Sequence, residues 1–123
     1  MKMAKMIQGA CHCGAVTFEV SAPKFVVSCN CSICRRYGAY WAHCPPNDGA
    51  ILTGQDHTKT YSWGDHMIDF HACKTCGCIT HWSAGKNADQ DRFAVNLRMA
   101  PLEVMHMLTV RHFDGADSWE FLD

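Results

Sequence analysis

Apolar and polar residues alternate with a period of two along much of the chain, which predicts a series of short β-strands. In the first of these runs Val16, Phe18 and Val20 share one face, whereas Thr17 and Glu19 occupy the other. This arrangement is typical of a half-buried antiparallel strand. The runs with this pattern cover residues 15–20, 25–29, 39–44, 58–63, 67–72, 79–83, 93–97 and 108–113.

Helical periodicity is weak by comparison. No window of a dozen residues keeps apolar positions at helical spacing without an interrupting Gly or Pro, so only short turns are expected, at 32–36 and 100–104. No linker or internal repeat divides the chain. The sequence therefore predicts a mainly β fold with few or no long helices, in a single domain that covers residues 1–123.

Composition places the chain among globular proteins with a real core. Its 123 residues are 48% hydrophobic and 19% charged, and the formal net charge of -1 argues against nonspecific nucleic-acid binding. The first 14 residues contain no apolar stretch long enough for a signal peptide, and no run of about 18 apolar residues predicts a membrane span. We therefore expect a cytoplasmic protein without nucleic-acid or membrane partners.

The chain has nine cysteines, an odd number that excludes complete intrachain disulfide pairing. In a reducing compartment, clustered cysteines favour metal ligation or thiol chemistry over disulfides. Cys44, before two prolines, is most simply a small buried hydrophobe. The other eight form three tight groups, which are Cys11 and Cys13, then Cys29, Cys31 and Cys34, and finally Cys73, Cys76 and Cys78.

Spacings of one or two residues allow a short turn to direct two thiolates at one ion, and Gly14 and Gly77 follow two of these turns. Soft sulfur ligands favour zinc, with iron as the competing metal. Structural zinc sites use four protein ligands, whereas catalytic zinc keeps three and leaves one position open. Eight clustered cysteines permit two closed sites, or one closed site and one open site at the CxCxxC group.

The ordered set of motifs resembles the glutathione-dependent formaldehyde-activating enzymes, which are grouped with centromere protein V. The similar segments are GACHCGAVTFEV, SCNCSICRRYGAYW, AILTG, TKTYSW and HACKTCGC, and together they cover residues 8–96. The resemblance implies a tent-like arrangement of β-sheets around the metal. It also implies two zinc ions per chain, the second of them labile.

By the same resemblance, Cys11, Cys13, Cys73 and Cys76 hold the structural zinc, and Cys29, Cys31 and Cys34 hold the second, catalytic zinc. The implied activity is that of a carbon–sulfur lyase, or S-hydroxymethylglutathione synthase, which activates glutathione or a similar small thiol for addition to formaldehyde or a related carbonyl. Arg35, Arg36 and Lys74 are the nearby cations that could contact the thiol substrate.

The chain departs from the family pattern ahead of the CxxCG motif. Family members commonly carry a basic residue there, whereas this chain has Asp69, Phe70 and His71, so the physiological thiol need not be glutathione. Cys78 introduces an alternative. If it were a fourth ligand of the second zinc, both sites would be closed, and the protein would be a noncatalytic zinc-scaffolded binding module.

Histidines and aromatic residues near the cysteine groups provide further candidates. His43 and His81 could face the second site as proton carriers, although a core or surface position is the simpler interpretation. Tyr37, Tyr40 and Trp41 could line a pocket beside the central cysteines, but aromatic residues in β runs are first of all core residues.

Overall fold

The computed structural model describes residues 5–45 and 47–123. Residues 1–4 and Pro46 lie outside this description. They include the start of the N-terminal segment that was searched for a signal peptide, and one of the two prolines that follow Cys44. The strands are β1 (Met6–Ala10), β2 (Thr17–Ser21), β3 (Val26–Cys29), β4 (Trp41–Cys44), β5 (Gly49–Thr53), β6 (Thr58–Tyr61), β7 (Ile68–Cys73), β8 (Ile79–Ala84), β9 (Phe93–Asn96) and β10 (Val110–Phe113).

The strands form two sheets. A three-stranded antiparallel sheet has the order β1-β2-β5, and a seven-stranded sheet has the order β10-β3-β4-β9-β8-β7-β6. In the larger sheet β10 pairs with β3 in parallel, and the other pairs are antiparallel. Two short α-helices, α1 (Cys34–Tyr37) and α2 (Leu102–Met105), and a 3-10 turn (Leu97–Met99) lie between strands.

The two faces of the larger sheet have different roles. Val26, Ala42 and Val95 point toward the smaller sheet, where they pack with Phe18 and Val20 in the main core. Side chains of the neighbouring positions point the other way and form a second apolar cluster, which contains Val27, Trp41, Phe70, Trp82 and Ala94. The alternation of β-structure therefore gives the large sheet one face for the core and another for a separate apolar surface.

The structure confirms the predicted mainly β fold and places a strand in each of the eight predicted runs. Alternation alone did not indicate β1, because its second inward position is Gly9, which has no side chain and packs against the ring of Phe18. It also did not indicate β5, which is mostly exposed, although the resemblance at AILTG pointed to it. Within the described ranges, no helix has the length and apolar character needed to cross a membrane.

A pair of histidines lies on the core side of the larger sheet. The rings of His71 and His81 stack with centroids 4.1 Å apart, and His81 is 5% exposed. His71 is hydrogen-bonded to Thr58 and Ser83, and His81 to Thr80, at 2.7 to 2.8 Å. Burial lowers the pKa of both rings, that of His81 to about 3. Both histidines are therefore neutral at physiological pH.

This burial predicts acid sensitivity. Between pH 6.5 and about 3, His81 binds a proton in the unfolded chain but not in the folded protein, so the free energy of unfolding falls as the pH drops. Relative to His81→Gln, the wild type should lose about 2 kcal/mol more stability between pH 7.5 and pH 5. Denaturant unfolding at the two pH values measures this difference, and equal losses in both proteins would contradict the prediction.

Candidate metal centres and cleft

Two turns that are distant in the sequence bring four cysteines together, in what we call the four-cysteine cluster. Cys11 and Cys13 lie between β1 and β2, while Cys73 ends β7 and Cys76 follows it. All four sulfurs lie within 4.8 Å of one another. The Sγ atom of Cys13 is 3.7 Å from that of Cys11 and 3.6 Å from that of Cys73.

These separations suit a tetrahedral metal ion. Zn–S bonds of about 2.3 Å place neighbouring sulfurs of a tetrahedron about 3.8 Å apart. Cys11 and Cys73 are nearly inaccessible to solvent, so their thiolates would repel one another without a cation between them. The four-cysteine cluster could therefore hold a zinc ion.

Glycines shape both turns of this cluster. Gly14 and Gly77 have φ angles of +82° and +78°, a conformation that side chains disfavour. The N–H of Gly14 donates to the carbonyl of Cys11, and the N–H of Gly77 donates to that of Cys73. Each turn thereby closes around its pair of sulfurs.

The central cysteines form a second group, the three-cysteine cluster. Cys29 ends β3, Cys31 lies in the following loop and Cys34 begins α1, and their sulfurs lie within 4.8 Å of one another. Across residues 5–45 and 47–123, no fourth Cys, His, Asp or Glu joins this group. A metal ion held by these three side chains would keep a ligand position for another molecule.

Hydrogen-bond donors surround the three sulfurs. The backbone N–H of Cys31 donates to Cys29 at 3.5 Å, and that of Cys34 donates to Cys31 at 3.4 Å. The indole N–H of Trp41 donates to Cys34 at 3.4 Å. These donors favour the thiolate form, which is the form that binds metal.

The sulfurs also act on one another. A hydrogen bond from the Cys34 thiol, together with the backbone N–H groups of Cys31 and Gly115, lowers the pKa of Cys29 to about 5. The same bond raises the pKa of Cys34. The three-cysteine cluster therefore carries at least one thiolate at neutral pH even before a metal ion binds.

Cys78 lies beside the four-cysteine cluster, where it packs against Cys11, Cys73 and Cys76. The N–H of Cys73 donates to the carbonyl of Cys78 at 2.9 Å, which turns the chain back on itself. This turn places Cys78 beside the four-cysteine cluster and not among the three central cysteines.

A large cleft of about 1400 Å³ contains all three sulfurs of the three-cysteine cluster in its wall. It opens on the apolar face of the larger sheet, away from the main core. All four tryptophans of the chain line it. The aromatic residues of the wall are Phe25, Trp41, Trp63, Phe70, Trp82, Phe113, Trp119 and Phe121.

Of the three candidate cations, only Arg35 lines this cleft. Arg36 donates to the carbonyl of Ser32 at 2.6 Å, in the turn just before its own helix. Lys74 belongs to the turn of the four-cysteine cluster, and its ammonium donates to the carbonyl of Asp56 at 3.3 Å. Two further cations that the sequence analysis did not indicate, Lys24 and Arg92, also line the cleft.

The structure separates the two candidate proton carriers. His43 lines the cleft, with its ring edge-on to Trp82 at 5.6 Å. Burial and, to a smaller extent, the charge of Arg92 lower the pKa of His43, which keeps the ring neutral. His81 lies on the opposite face of the sheet, because its position in β8 pairs with Val95 of the main core.

Trp41 lines the cleft as the sequence suggested, whereas Tyr40 lies outside its wall. Tyr37 packs edge-on against Phe70, with ring centroids 5.4 Å apart. Sequence reasoning missed Trp63, Trp119 and Arg92. The four tryptophans in a short chain were unusual, but the local sequence pattern did not indicate that they line one cleft.

The position of Cys78 leads to a prediction. Cys78→Ser should bind the same number of metal ions as the wild type, because the four nearby sulfurs already complete a tetrahedral set. Metal analysis of the purified variants measures this, with Cys73→Ser as the control that should lose bound metal. Loss of a metal ion from Cys78→Ser would contradict it.

Comparisons with known proteins agree with this geometry. The sequence model of a family described as glutathione-dependent formaldehyde-activating enzyme matches residues 6–107. A protein of Halomonas elongata, named as a candidate glutathione-dependent formaldehyde-activating enzyme, is 37% identical over 62 residues. That match covers 46% of this chain and 40% of the relative, so the chain spans less than half of the relative's length.

The fold has a counterpart among solved structures. A crystal structure of a Rhodobacter sphaeroides protein superposes with a TM-score of 0.67 at 28% identity, and the match covers 85% of this chain and 99% of the other. The family match spans most of the chain and includes both cysteine clusters. The chain therefore belongs to the family of glutathione-dependent formaldehyde-activating enzymes.

Proposed function

We propose that the protein is a zinc-dependent enzyme of the carbon–sulfur lyase type, which activates a small thiol such as glutathione for addition to formaldehyde or a related carbonyl. One observation carries this proposal. Three cysteines converge in the wall of a large cleft, and no fourth Cys, His, Asp or Glu within the described ranges completes their set. The family and the name given to the Halomonas relative support the choice of thiol and aldehyde.

The two clusters would have different tasks. Cys29, Cys31 and Cys34 would hold the catalytic zinc, which when bound supplies a Lewis acid that keeps a substrate thiol ionised near neutral pH. The four-cysteine cluster would hold a structural zinc between the two sheets.

The cations of the cleft would favour an anionic thiol. Three cysteine thiolates already carry negative charge, so a further thiolate needs positive charge nearby. Lys24, Arg35 and Arg92 line the cleft, against the single carboxylate of Asp65 in its wall. Glutathione carries a net negative charge, and its carboxylates would pair with these side chains.

The addition also requires a proton to move. A bond forms between the thiol sulfur and the carbonyl carbon, and the carbonyl oxygen takes up the displaced electron pair and a proton. The neutral imidazole of His43 would accept the proton of the incoming thiol and return it to that oxygen. The reverse sequence cleaves the carbon–sulfur bond.

The position of Cys78 bears on the alternative of a noncatalytic module. That alternative needed a fourth cysteine at the second site, and Cys78 packs against the four-cysteine cluster instead. This position of Cys78 supports an open second site over a closed one.

Thiol binding tests the proposal directly. Protein loaded with Co²⁺ in place of zinc should show a change in its visible absorption when glutathione is added, because a thiolate enters the cobalt coordination sphere. Cys31→Ser should lose this change, and Cys78→Ser should keep it. An unchanged spectrum in the fully loaded wild type would refute the proposed function.

The division of labour between the clusters gives a second prediction. Cys76→Ser should unfold the protein, because structural zinc contributes on the order of 10 kcal/mol, comparable with the whole stability of a domain. Cys31→Ser should remain folded with one zinc fewer. Metal content and thermal unfolding followed by circular dichroism distinguish the two, and equal loss of cooperative unfolding in both variants would contradict the assignment.

A further inference from the structure

The cleft is larger and more apolar than addition to formaldehyde requires. Ligand clefts usually enclose about 300 to 1,000 Å³, whereas this one encloses about 1400 Å³. Formaldehyde contributes one carbon atom, and glutathione is polar and charged along its length. Neither accounts for a wall with eight aromatic rings.

Several of these rings face solvent. Trp63 is 47% exposed, Trp119 is 73% exposed and Phe121 is 40% exposed, and all three line the cleft. Exposed apolar surface gathered around a concavity marks a site for an apolar ligand. Because the three rings come from two distant parts of the chain, the fold itself assembles this surface.

Trp119 and Phe121 belong to residues 114–123, which we call the C-terminal arm. Trp119 has a φ angle of +59°, a strained conformation for a bulky residue. The arm fixes it there. The N–H of Trp119 donates to the carbonyl of Asp114 at 2.8 Å, and the Asp114 carboxylate accepts from both the N–H and the hydroxyl of Ser118. Such strain is found where a side chain has a functional position.

The arm is docked directly on the three-cysteine cluster. Asn30, between two of the cysteines, donates to the Asp114 carboxylate at 3.0 Å and accepts from the N–H of Ala116 at 2.9 Å. A Cβ atom on Gly115 would lie only 2.6 Å from the sulfur of Cys29. The aromatic wall is thus held in a fixed relation to the sulfurs.

The arm lies outside the part of the chain that the family model matches, which ends at residue 107. The cleft also has a charged part, which contains Lys24, Arg35 and Arg92. These side chains would bind the anionic thiol portion of a ligand, while the aromatic wall would bind an apolar portion.

We infer that the cleft binds the adduct of an anionic thiol with an aldehyde that carries an aromatic ring, and that Trp119 is a specificity-determining residue for that ring. This inference rests on the proposed function. The reaction is the same addition: the sulfur–carbon bond forms, the carbonyl π bond breaks, and the thiol proton ends on the oxygen, so no oxidant or reductant is required. The aromatic group packs against Trp63 and Trp119 while the thiol portion pairs with the cations.

Stable thioethers test this preference without depending on turnover. S-benzylglutathione and S-methylglutathione share the charged portion and differ in the ring, and neither has a free thiol. In isothermal titration calorimetry with the zinc-loaded protein, we expect the benzyl compound to bind at least about tenfold more tightly, because it buries an aromatic ring.

Substitutions in the C-terminal arm test whether the arm causes the preference for the benzyl compound. Trp119→Ala should reduce the ratio of the two affinities to less than about threefold, while Leu122→Ala, an exposed apolar residue of the same arm outside the wall of this cleft, should preserve it. Should Trp119→Ala fail to fold, Trp63→Ala removes a ring from a different loop and should have the same effect.

The outcomes separate this inference from the proposed function. Equal binding of the two thioethers, or an unchanged ratio in a folded Trp119→Ala protein, would overturn the aromatic preference even if glutathione still perturbs the cobalt spectrum. Conversely, a tenfold preference together with no change in that spectrum would support an aromatic-binding cleft and refute thiol activation.

Discussion

The convergence of four cysteine sulfurs is the constraint on which the rest of the structure depends. Two of them follow β1 of the smaller sheet and two belong to the end of β7 in the larger sheet, so the cluster fastens one sheet to the other. Thiolates of the buried Cys11 and Cys73 would repel one another, and a metal ion bound by all four sulfurs would offset this repulsion and hold the two sheets together. This junction joins the two sheets at one end of β7, while the apolar core joins them across the inner face of the larger sheet.

Because side chains alternate along each strand, the large sheet serves two environments at once. One face closes the main core against Phe18 and Val20. The other carries Trp41, Trp82 and Phe70 toward the cleft, where the three-cysteine cluster lies at the end of β3. Neighbouring residues of one strand therefore lie in different environments. In β4, for example, Ala42 is buried in the main core, whereas His43 lines the cleft.

The mainly β fold and the three-cysteine group could be predicted from the sequence, for physical reasons. Cysteine spacing indicated that the three central cysteines could share an ion because short turns limit their reach, and strand alternation indicated the β fold. The grouping of Cys11 and Cys13 with Cys73 and Cys76 came from the family resemblance. The position of Cys78 could not be predicted, because it depends on how the turn after β7 closes. The aromatic wall was also hidden, since Trp63 and Trp119 lie in loops and local pattern does not reveal which loops meet in space. The arm has no periodicity at all.

The parallel pairing of β10 with β3 places β10 at the border of the large sheet. A strand in that position normally offers unpaired backbone groups to other chains. Here Phe113 bridges to Phe121, the N–H of Leu122 donates to the carbonyl of His112, and Asp123 accepts from the N–H of His112. The segment that shapes the cleft thus also shields this border against edge-to-edge association, so changes that loosen it would promote aggregation as well as alter ligand choice.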